Sequence, residues 1–367
     1  MQPLTAFLLV LLLALGMPPL RQAQESPAPA SECGARITPK QVKAELEFKR
    51  RHSQLQMAAP ADKPYQAPLA IHIIRRADGS GGFSLTRLAV ALRDLNLMWQ
   101  PAGVQFFQYG PVDYIDDEKY RDLPASLFDE LRRKNVIAGA INVYFVNSLT
   151  DADKKSLCGL ASYSSNDVQG ILMSNGCAGT SDNPTTFAHE VGHYFNLYHT
   201  HETRFGKECP SGNNCATAGD QICDTPADPN LTDRVNKDCE YNNSVSAPDG
   251  CGSAPYAPST QNLMSYSTKL CRDRFTPEQI KKALQVLTTL RGELVRNRSW
   301  YVTVEADAVE LGCAESTPCS LSVALRLANP GDSIFLRAGS YPGARTLNQA
   351  VFFKKWKGGS APATIGR

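Results

Sequence analysis

The sequence lacks any strong excess of charge of one sign. Its 367 residues carry 38 Lys and Arg against 36 Asp and Glu, a formal net charge of +2, and they contain no long basic run. Proteins that bind nucleic acids or anionic membrane surfaces usually show such a run or patch. The composition therefore argues against nucleic acid as a partner.

Long hydrophobic runs are also missing, apart from one near the start. Residues 7–15 read FLLVLLLAL, which is too short for a bilayer-spanning helix of about 20 residues but typical of the apolar core of a signal peptide. No other segment is apolar enough to span a membrane. We therefore predict a secreted, extracellular protein with a signal peptide over residues 1–24, although cleavage after Gly16 would also fit.

Cysteine, in contrast, is plentiful. Eleven cysteines fit an oxidising compartment, and their odd number leaves at least one thiol outside intramolecular disulfides. Local spacing predicts the bridges Cys158–Cys177 and Cys313–Cys319. The six cysteines between residues 209 and 271 are expected to cross-link an irregular stretch, with a connectivity that the sequence leaves open.

The main domain is predicted to cover residues 67–297 and to have an α+β fold. Strand and helix patterns alternate in its first half, which indicates helices packed on a twisted mixed sheet. Roughly 60 residues before the last helix show no regular pattern. An irregular segment of this length usually needs disulfides or ions, or forms a functional site. The predicted strands lie near residues 69–74, 104–109, 141–146 and 168–173, and the predicted helices over residues 84–99, 125–134, 184–196 and 277–294.

Two smaller segments flank this domain. Residues 25–66 contain one helix that is opened by Thr38 and Pro39. Residues 298–367 are β-rich, and within them residues 319–341 resemble the opening turns of secreted right-handed parallel β-helices. A solenoid needs several stacked coils, so this segment is either a capping fragment or a longer array cut short.

One predicted helix carries a metal-binding pattern. His189 and His193 are one turn apart on the same face, so both imidazoles can reach one Zn²⁺, and Glu190 lies beside them to act on the metal-bound water. His199 is the candidate third ligand. A helix that continued at 100° per residue would carry His199 away from the metal, so the chain must leave the helix near Asn196. A buried structural histidine cluster is the alternative.

The bend at Asn196 connects this segment to the metzincin pattern H-E-x-x-H-x-x-G-x-x-H. That pattern has glycine at the bend because the backbone needs a positive φ there. Asn is the non-glycine residue that best tolerates this conformation. Downstream, Met264 and Tyr266 lie in the segment NLMSY. Metzincins place a methionine beneath the three imidazoles, which makes Met264 the candidate floor of the site.

Four segments in the same order resemble the pappalysin family of metzincin metallopeptidases, over about residues 69–294. They are the strand IHII, the zinc segment TFAHEVGHYFNLYH, the stretch CDTPAD and the segment NLMSY. The resemblance implies a secreted zinc endopeptidase, with an upper subdomain that holds the sheet and the active-site helix, and an irregular lower subdomain that holds the methionine turn. It also implies that the Tyr266 hydroxyl can donate a hydrogen bond to a tetrahedral intermediate.

The resemblance further implies structural calcium in some members. In this chain Asp220, Asp224, Thr225 and Asp228 would supply the oxygen donors that calcium prefers. The alternative is an ordinary polar turn around Thr225.

Cys33 is the best candidate for the cysteine outside the disulfides. It lies upstream of the catalytic block, and a thiolate from a pro-segment can occupy the open position of zinc and displace its water. Some pappalysin-like proenzymes carry such a switch, so we expect a latent form that is activated by cleavage between Arg50 and Ala67. The alternative is a cysteine that pairs with another molecule or has no partner.

These features together predict a zinc metalloendopeptidase that acts on protein or peptide substrates. Glu190 would take a proton from the zinc-bound water and pass it to the leaving amine. The alternative is a catalytically weak adhesion or carbohydrate-binding protein that keeps the zincin scaffold. The presence of Glu190 together with all three histidines favours the peptidase.

Overall fold

A computed structural model describes residues 31–52, 64–242, 245–247, 250–295, 299–305, 313, 315, 318–328, 332–342, 351–356 and 362–366. The predicted signal peptide lies outside the described residues. None of the described helices is long and apolar enough to cross a membrane.

Nine strands in the described chain form one mixed sheet. Their order is β3-β2-β6-β9-β8-β7-β5, with β4 paired to β2 and β1 paired to β8. The pairs β8–β9 and β7–β8 are antiparallel and the others are parallel. The strands are β1 (Ser31–Cys33), β2 (Tyr65–Arg75), β3 (Val104–Gln108), β4 (Asp113–Asp116), β5 (Asp122–Pro124), β6 (Ile141–Val146), β7 (Ser148–Thr150), β8 (Ser156–Ala161) and β9 (Ile171–Ser174).

The apolar segment around Leu69 forms the buried centre of the sheet. All eight residues from Ala67 to Ile74 are buried, because β2 has strand neighbours along both edges and is covered on both faces. A strand in this position has a continuous apolar sequence instead of alternating polar residues. The strand begins at Tyr65, two residues before the predicted start of the domain.

Six helices accompany the sheets in the described residues. They are α1 (Pro39–His52), α2 (Leu85–Trp99), α3 (Phe128–Leu131), α4 (Thr186–Tyr194), α5 (Pro277–Thr289) and α6 (Leu321–Leu327). Trp99 at the end of α2 is fully buried, and its indole nitrogen donates a hydrogen bond to the carbonyl oxygen of Ala188, 3.3 Å away. This contact ties α2 to the middle of α4, so the core of the domain fixes the position of the helix that carries the histidines.

The predicted helix over residues 125–134 is wrong in extent. The structure has a single α-helical turn, α3, after a short 3-10 turn. The chain leaves the helical path where Asn135 adopts a positive φ of 52°. The basic residues just before Asn135 favour a helix, but a residue with a left-handed backbone conformation cannot continue a right-handed helix.

Five disulfides are present. The predicted local bridges Cys158–Cys177 and Cys313–Cys319 are confirmed. The other six cysteines pair within the irregular stretch between α4 and α5, as Cys209–Cys251, Cys215–Cys223 and Cys239–Cys271. These three bridges cross-link a stretch with almost no regular secondary structure, where the chain has few backbone ladders to hold it.

The C-terminal segment forms two small parallel sheets. One contains β10 (Ser299–Val302), β11 (Ser333–Leu336) and β13 (Phe352–Lys355), and the other pairs β12 (Gly339–Tyr341) with β14 (Ala363–Ile365). The pairing brings successive strands into parallel register, with Trp300 opposite Ile334 and Ile334 opposite Phe353. Stacked parallel strands agree with a solenoid-like arrangement, and the right-handed β-helix itself stays a prediction.

Candidate metal centre

Three histidines converge at the C-terminal end of α4. The Nε2 atom of His193 lies 3.1 Å from that of His189 and 3.0 Å from that of His199, and the remaining Nε2 pair is 3.3 Å apart. All three residues are buried. Together with the sulfur of Cys33, they form the one group of three or more His, Cys, Asp or Glu side chains in the described chain whose ligand atoms lie close enough together to hold a metal ion.

The orientation of the rings fits metal ligation. The Nδ1 atoms of His189 and His193 each lie 2.7 Å from a backbone carbonyl oxygen, of Leu263 and Leu197 respectively. A carbonyl can only accept, so these two Nδ1 atoms carry the protons and each Nε2 directs a lone pair into the cluster. Two such nitrogens cannot hydrogen-bond to each other, and their short separation fits a shared cation.

The spacing and the electrostatics agree with zinc. Nitrogen ligands at about 2.0–2.1 Å from a tetrahedral zinc are about 3.3 Å apart, close to the observed separations. Burial lowers the pKa of His193 to about 3 and lowers the pKa of His189 and His199 well below the ordinary value. The imidazoles are therefore neutral at physiological pH, as metal ligands must be.

Asn196 produces the predicted bend. Its φ is +59°, and it closes α4 with two hydrogen bonds of a Schellman motif, from Asn196 N to His193 O and from Leu197 N to Gly192 O, both 2.9 Å. The side chain adds to the bend, because its Oδ1 accepts from the backbone nitrogen of Ser164 and its Nδ2 donates to the Ser164 hydroxyl. Glycine could adopt this φ but could not make these two contacts.

Met264 lies directly against the histidine helix. It is fully buried, and its sulfur is 2.5 Å from the point where a Cβ on Gly192 would stand. A side chain there would force Met264 to move, so Gly192 of the motif allows this close packing. The backbone nitrogen of Met264 donates to Asn262 Oδ1, 2.8 Å away, which holds the turn in place. The structure thus puts Met264 against the helix that carries two of the histidines.

Strand β8 approaches Glu190 from the other side. A Cβ on Gly159 would lie 2.6 Å from both Cγ and Oε1 of Glu190, so only glycine lets this strand pass so close to the carboxylate. Sequence reasoning missed β8 entirely. Its sequence, SLCGLA, has no clear alternation of apolar and polar residues. The available signals were the turn-forming residues on both sides, DADKK and SSND, and its cysteine, which pairs with Cys177.

Tyr266 also lies at the cluster. Its ring centre is 4.6 Å from that of His199, and its hydroxyl donates to the carbonyl oxygen of Cys33 at 3.1 Å. His201 is close by, stacked on His199 with ring centres 5.0 Å apart. However, His201 does not belong to the metal-binding cluster, in agreement with its position two residues beyond the expected spacing.

Cys33 reaches the cluster from the N-terminal segment. The cysteine takes part in none of the five disulfides, and its sulfur lies 3.5 Å from Oε2 of Glu190. Strand β1 delivers it by pairing in parallel with β8, with Cys33 opposite Gly159. Next to it, a Cβ on Gly34 would stand 2.6 Å from Leu157 Cδ1, so glycine allows the segment to lie flat on β8.

The predicted calcium donors Asp224 and Asp228 have separate structural partners. Asp224 accepts hydrogen bonds from Thr276 Oγ1 and from the backbone nitrogen of Glu278, at the start of α5. Asp228 accepts from Thr200 Oγ1 at 2.6 Å and from Ser265 Oγ at 3.0 Å, which joins the chain after His199 to the methionine turn.

Asp220 and Thr225 remain together. The Thr225 hydroxyl donates to Asp220 Oδ1 at 2.9 Å. Asp220 is fully buried, and its Oδ2 accepts no hydrogen bond within the described chain. Burial raises the pKa of Asp220 to about 8 and that of the nearby Glu208 to about 7.

Comparisons with known proteins agree with this geometry. Residues 137–288 match the model of a peptidase family described as pregnancy-associated plasma protein-A. An extracellular metalloprotease of Colletotrichum graminicola is 29% identical over 227 residues, which cover 58% of this chain and 72% of that protein. One of Pyricularia oryzae is 25% identical over 222 residues, covering 57% and 70%.

Among solved structures, promirolysin of Tannerella forsythia has a similar fold. The match has a TM-score of 0.50 at 16% identity and covers 72% of this chain and 97% of that one. At this identity the likeness concerns the fold alone.

Proposed function

We propose that this chain is a zinc metallopeptidase of the family whose model matches residues 137–288, and that it hydrolyses internal peptide bonds, with His189, His193 and His199 as zinc ligands and Glu190 as general base. The convergence of three neutral imidazole nitrogens beside the Glu190 carboxylate is the observation that carries the proposal. The extracellular relatives and the predicted signal peptide support secretion of the protein.

The proposed chemistry divides between the metal and the protein. Zinc, when bound, supplies a Lewis acid that lowers the pKa of a water molecule and polarises the carbonyl group of the substrate. Glu190 would accept a proton from the attacking water and pass it to the leaving amine. The Leu263 and Leu197 carbonyls hold the His189 and His193 rings in one tautomer, which fixes the direction of their lone pairs.

Tyr266 is proposed to act on the oxygen of the scissile carbonyl. Its hydroxyl donates to the carbonyl oxygen of Cys33, so it already binds a peptide carbonyl next to the histidine cluster. A substrate that replaced Cys33 would present its own carbonyl in the same region. The hydroxyl would then stabilise the negative charge that develops there.

We also propose that the full chain is latent. Cys33 lies where a fourth zinc ligand would lie, in contact with Glu190. Strand β1 covers the edge of β8 beside Glu190, where an extended substrate could add a strand. In this division of the chain, residues 25–66 are the pro-segment and linker, residues 67–297 the peptidase domain, and residues 298–367 an additional β-rich segment.

The full chain with Cys33→Ser is the experiment that tests this proposal. We expect it to cleave a denatured protein at least roughly tenfold faster than the unmodified chain, because serine is a poor zinc ligand compared with a thiolate. A chelator should abolish the cleavage and added zinc restore it. Zinc content of about one per chain without any cleavage would instead favour a binding protein on the same scaffold.

A calcium ion at Asp220 is a further proposal, and it is supported by the buried Oδ2 of this residue and the adjacent Thr225 hydroxyl. Without an ion, the raised pKa of Asp220 means that stability falls as the pH rises from about 4 to about 8. Calcium would remove this loss, because it binds the ionised carboxylate.

We therefore expect calcium to raise Tm more at pH 8.5 than at pH 6, since ligand binding to the native state stabilises it by mass action. Thermal unfolding of the unmodified chain and of Asp220→Asn, each with calcium and with a calcium chelator, measures the effect. An equal calcium response in both proteins would rule out Asp220 as a ligand.

A further inference from the structure

The pro-segment has a second attachment to the peptidase domain, in which α1 contacts Tyr198 and Lys282. Glu45 of α1 is 1% exposed, an unusual position for an acidic residue. Its Oε1 lies 2.8 Å from the ammonium nitrogen of Lys282 on α5, and its Oε2 accepts a hydrogen bond from the Tyr198 hydroxyl, also at 2.8 Å. Both carboxylate oxygens therefore contact groups of the peptidase domain.

The receiving pocket is built for a carboxylate. Lys282 is 11% exposed, and its ammonium nitrogen lies 4.3 Å from the centre of the Tyr198 ring. Burial works against ionisation of Glu45, yet Lys282 and the Tyr198 hydroxyl lower its pKa below the ordinary value. The pocket thus stabilises the negative charge, and a neutral side chain there would leave a buried ammonium without its counter-charge.

Neighbouring residues of α1 extend this attachment. The Gln41 side chain, also 1% exposed, donates to the Tyr198 hydroxyl at 2.8 Å. Ala35 and Ile37 pack in a buried cluster with Tyr163 and Tyr198, and Phe48 belongs to the main core of the domain. These contacts add buried apolar area to the charge pair, and the Glu45, Gln41 and Phe48 contacts lie beyond the cysteine along the chain.

The position of the contacts along the chain has a consequence for activation. All of them lie within residues 31–52, ahead of the segment 53–63 that joins α1 to the described start of the domain at residue 64. A cut in segment 53–63 breaks none of these contacts. After such a cut, the strength of these contacts determines how fast and how completely the pro-segment dissociates.

We propose that the Tyr198–Lys282 pocket is a docking site for the Glu45 carboxylate, and that through it the pro-segment stays bound as a noncovalent inhibitor after the chain is cut behind α1. This inference rests on the latency proposed above, and it adds how the latent state is released. The pocket is occupied by α1, an amphipathic helix of this chain with one buried acidic residue. Activation therefore requires that the pro-segment is removed or degraded after the first cut.

The test uses the full chain with a recognition sequence for a specific protease placed in segment 53–63. After the cut, gel filtration measures whether the pro-segment still elutes with the domain, a readout that needs no activity. We expect retention in the unmodified protein and in Glu47→Gln, the matched control on the same helix. Glu45→Gln and Lys282→Gln should each lose the segment at least roughly tenfold faster.

A second experiment stays informative if the protein variants fail to fold, because it changes only a synthetic peptide. A synthetic peptide of residues 31–52 is added to the cut domain after removal of its own segment, and binding is measured by fluorescence anisotropy and inhibition by peptide hydrolysis. The Glu45→Gln peptide should bind at least roughly tenfold more weakly than the unmodified peptide, and the Glu47→Gln peptide should bind equally well.

Prompt loss of the segment from the cut unmodified protein, or equal binding of the Glu45→Gln and Glu47→Gln peptides, would overturn the docking proposal. Retention and peptide binding without hydrolysis in any form would leave the docking intact and count against the peptidase proposal alone. The two failures are therefore distinguishable.

Discussion

Replacing Glu190 by alanine is expected to lower kcat for peptide hydrolysis by roughly 10²- to 10⁴-fold while zinc stays bound. This is the range that a positioned general acid–base group contributes. The His189 and His193 rings do not depend on this side chain for their orientation, since their Nδ1 atoms contact backbone carbonyls. Steady-state kinetics and metal analysis, both in the Cys33→Ser background, measure the two quantities.

Two variants make this prediction specific. Glu190→Gln has nearly the same volume and should lose as much activity as the alanine variant, because Gly159 leaves room for a side chain of this size and only the proton acceptor is lost. Tyr266→Phe should lower kcat less and leave zinc content unchanged. Residual activity near that of the unmodified enzyme in both Glu190 variants would refute the assignment of the base.

Removal of His199 is expected to have the second large effect. His199→Ala leaves two nitrogen ligands, and loss of zinc affinity should exceed the roughly 10- to 100-fold cost of removing a residue that merely supports a ligand. We expect less than one zinc per chain at micromolar free zinc and no measurable hydrolysis. Zinc content after equilibrium dialysis, together with the hydrolysis rate, measures the outcome.

His201 provides the matched control. It stacks on His199 with the ring centres 5.0 Å apart, so an alanine there perturbs the same packing but removes no member of the metal-binding cluster. His201→Ala should therefore bind about one zinc and keep most of the activity. Loss of zinc in His201→Ala with retention in His199→Ala would show that the two histidines have exchanged roles.

Local sequence was sufficient to predict that His189, His193 and His199 come together. The spacing of His189 and His193 puts them on one helix face whatever the rest of the fold does, because helix geometry depends only on near neighbours. The end of the helix is local as well. Asn196 tolerates a positive φ, and the Schellman hydrogen bonds that follow involve residues no more than five positions apart. The disulfides Cys158–Cys177 and Cys313–Cys319, separated by 19 and 6 positions, were also predicted from their spacing, whereas Cys215–Cys223, 8 positions apart, was left open.

Distant contacts could not be predicted in this way. Gly159 lies against Glu190 because β8 pairs antiparallel with β9, and nothing near residue 159 in the sequence indicates this approach. The four predicted calcium donors are close in sequence, but Asp224 contacts α5 and Asp228 contacts the methionine turn. Short-range spacing cannot predict such partners, because each carboxylate can reach several elements once the irregular stretch has folded.

By itself, the sequence determined the chemical components of this protein: three histidines and a glutamate at helical spacing, a residue able to bend the chain, and an odd cysteine ahead of them. Only the tertiary structure decided how these components meet the rest of the chain. It placed Cys33 beside Glu190 and Glu45 between Tyr198 and Lys282. These partners are separated by more than 150 positions, and such pairs leave no periodic signal, because packing of the whole domain brings them together.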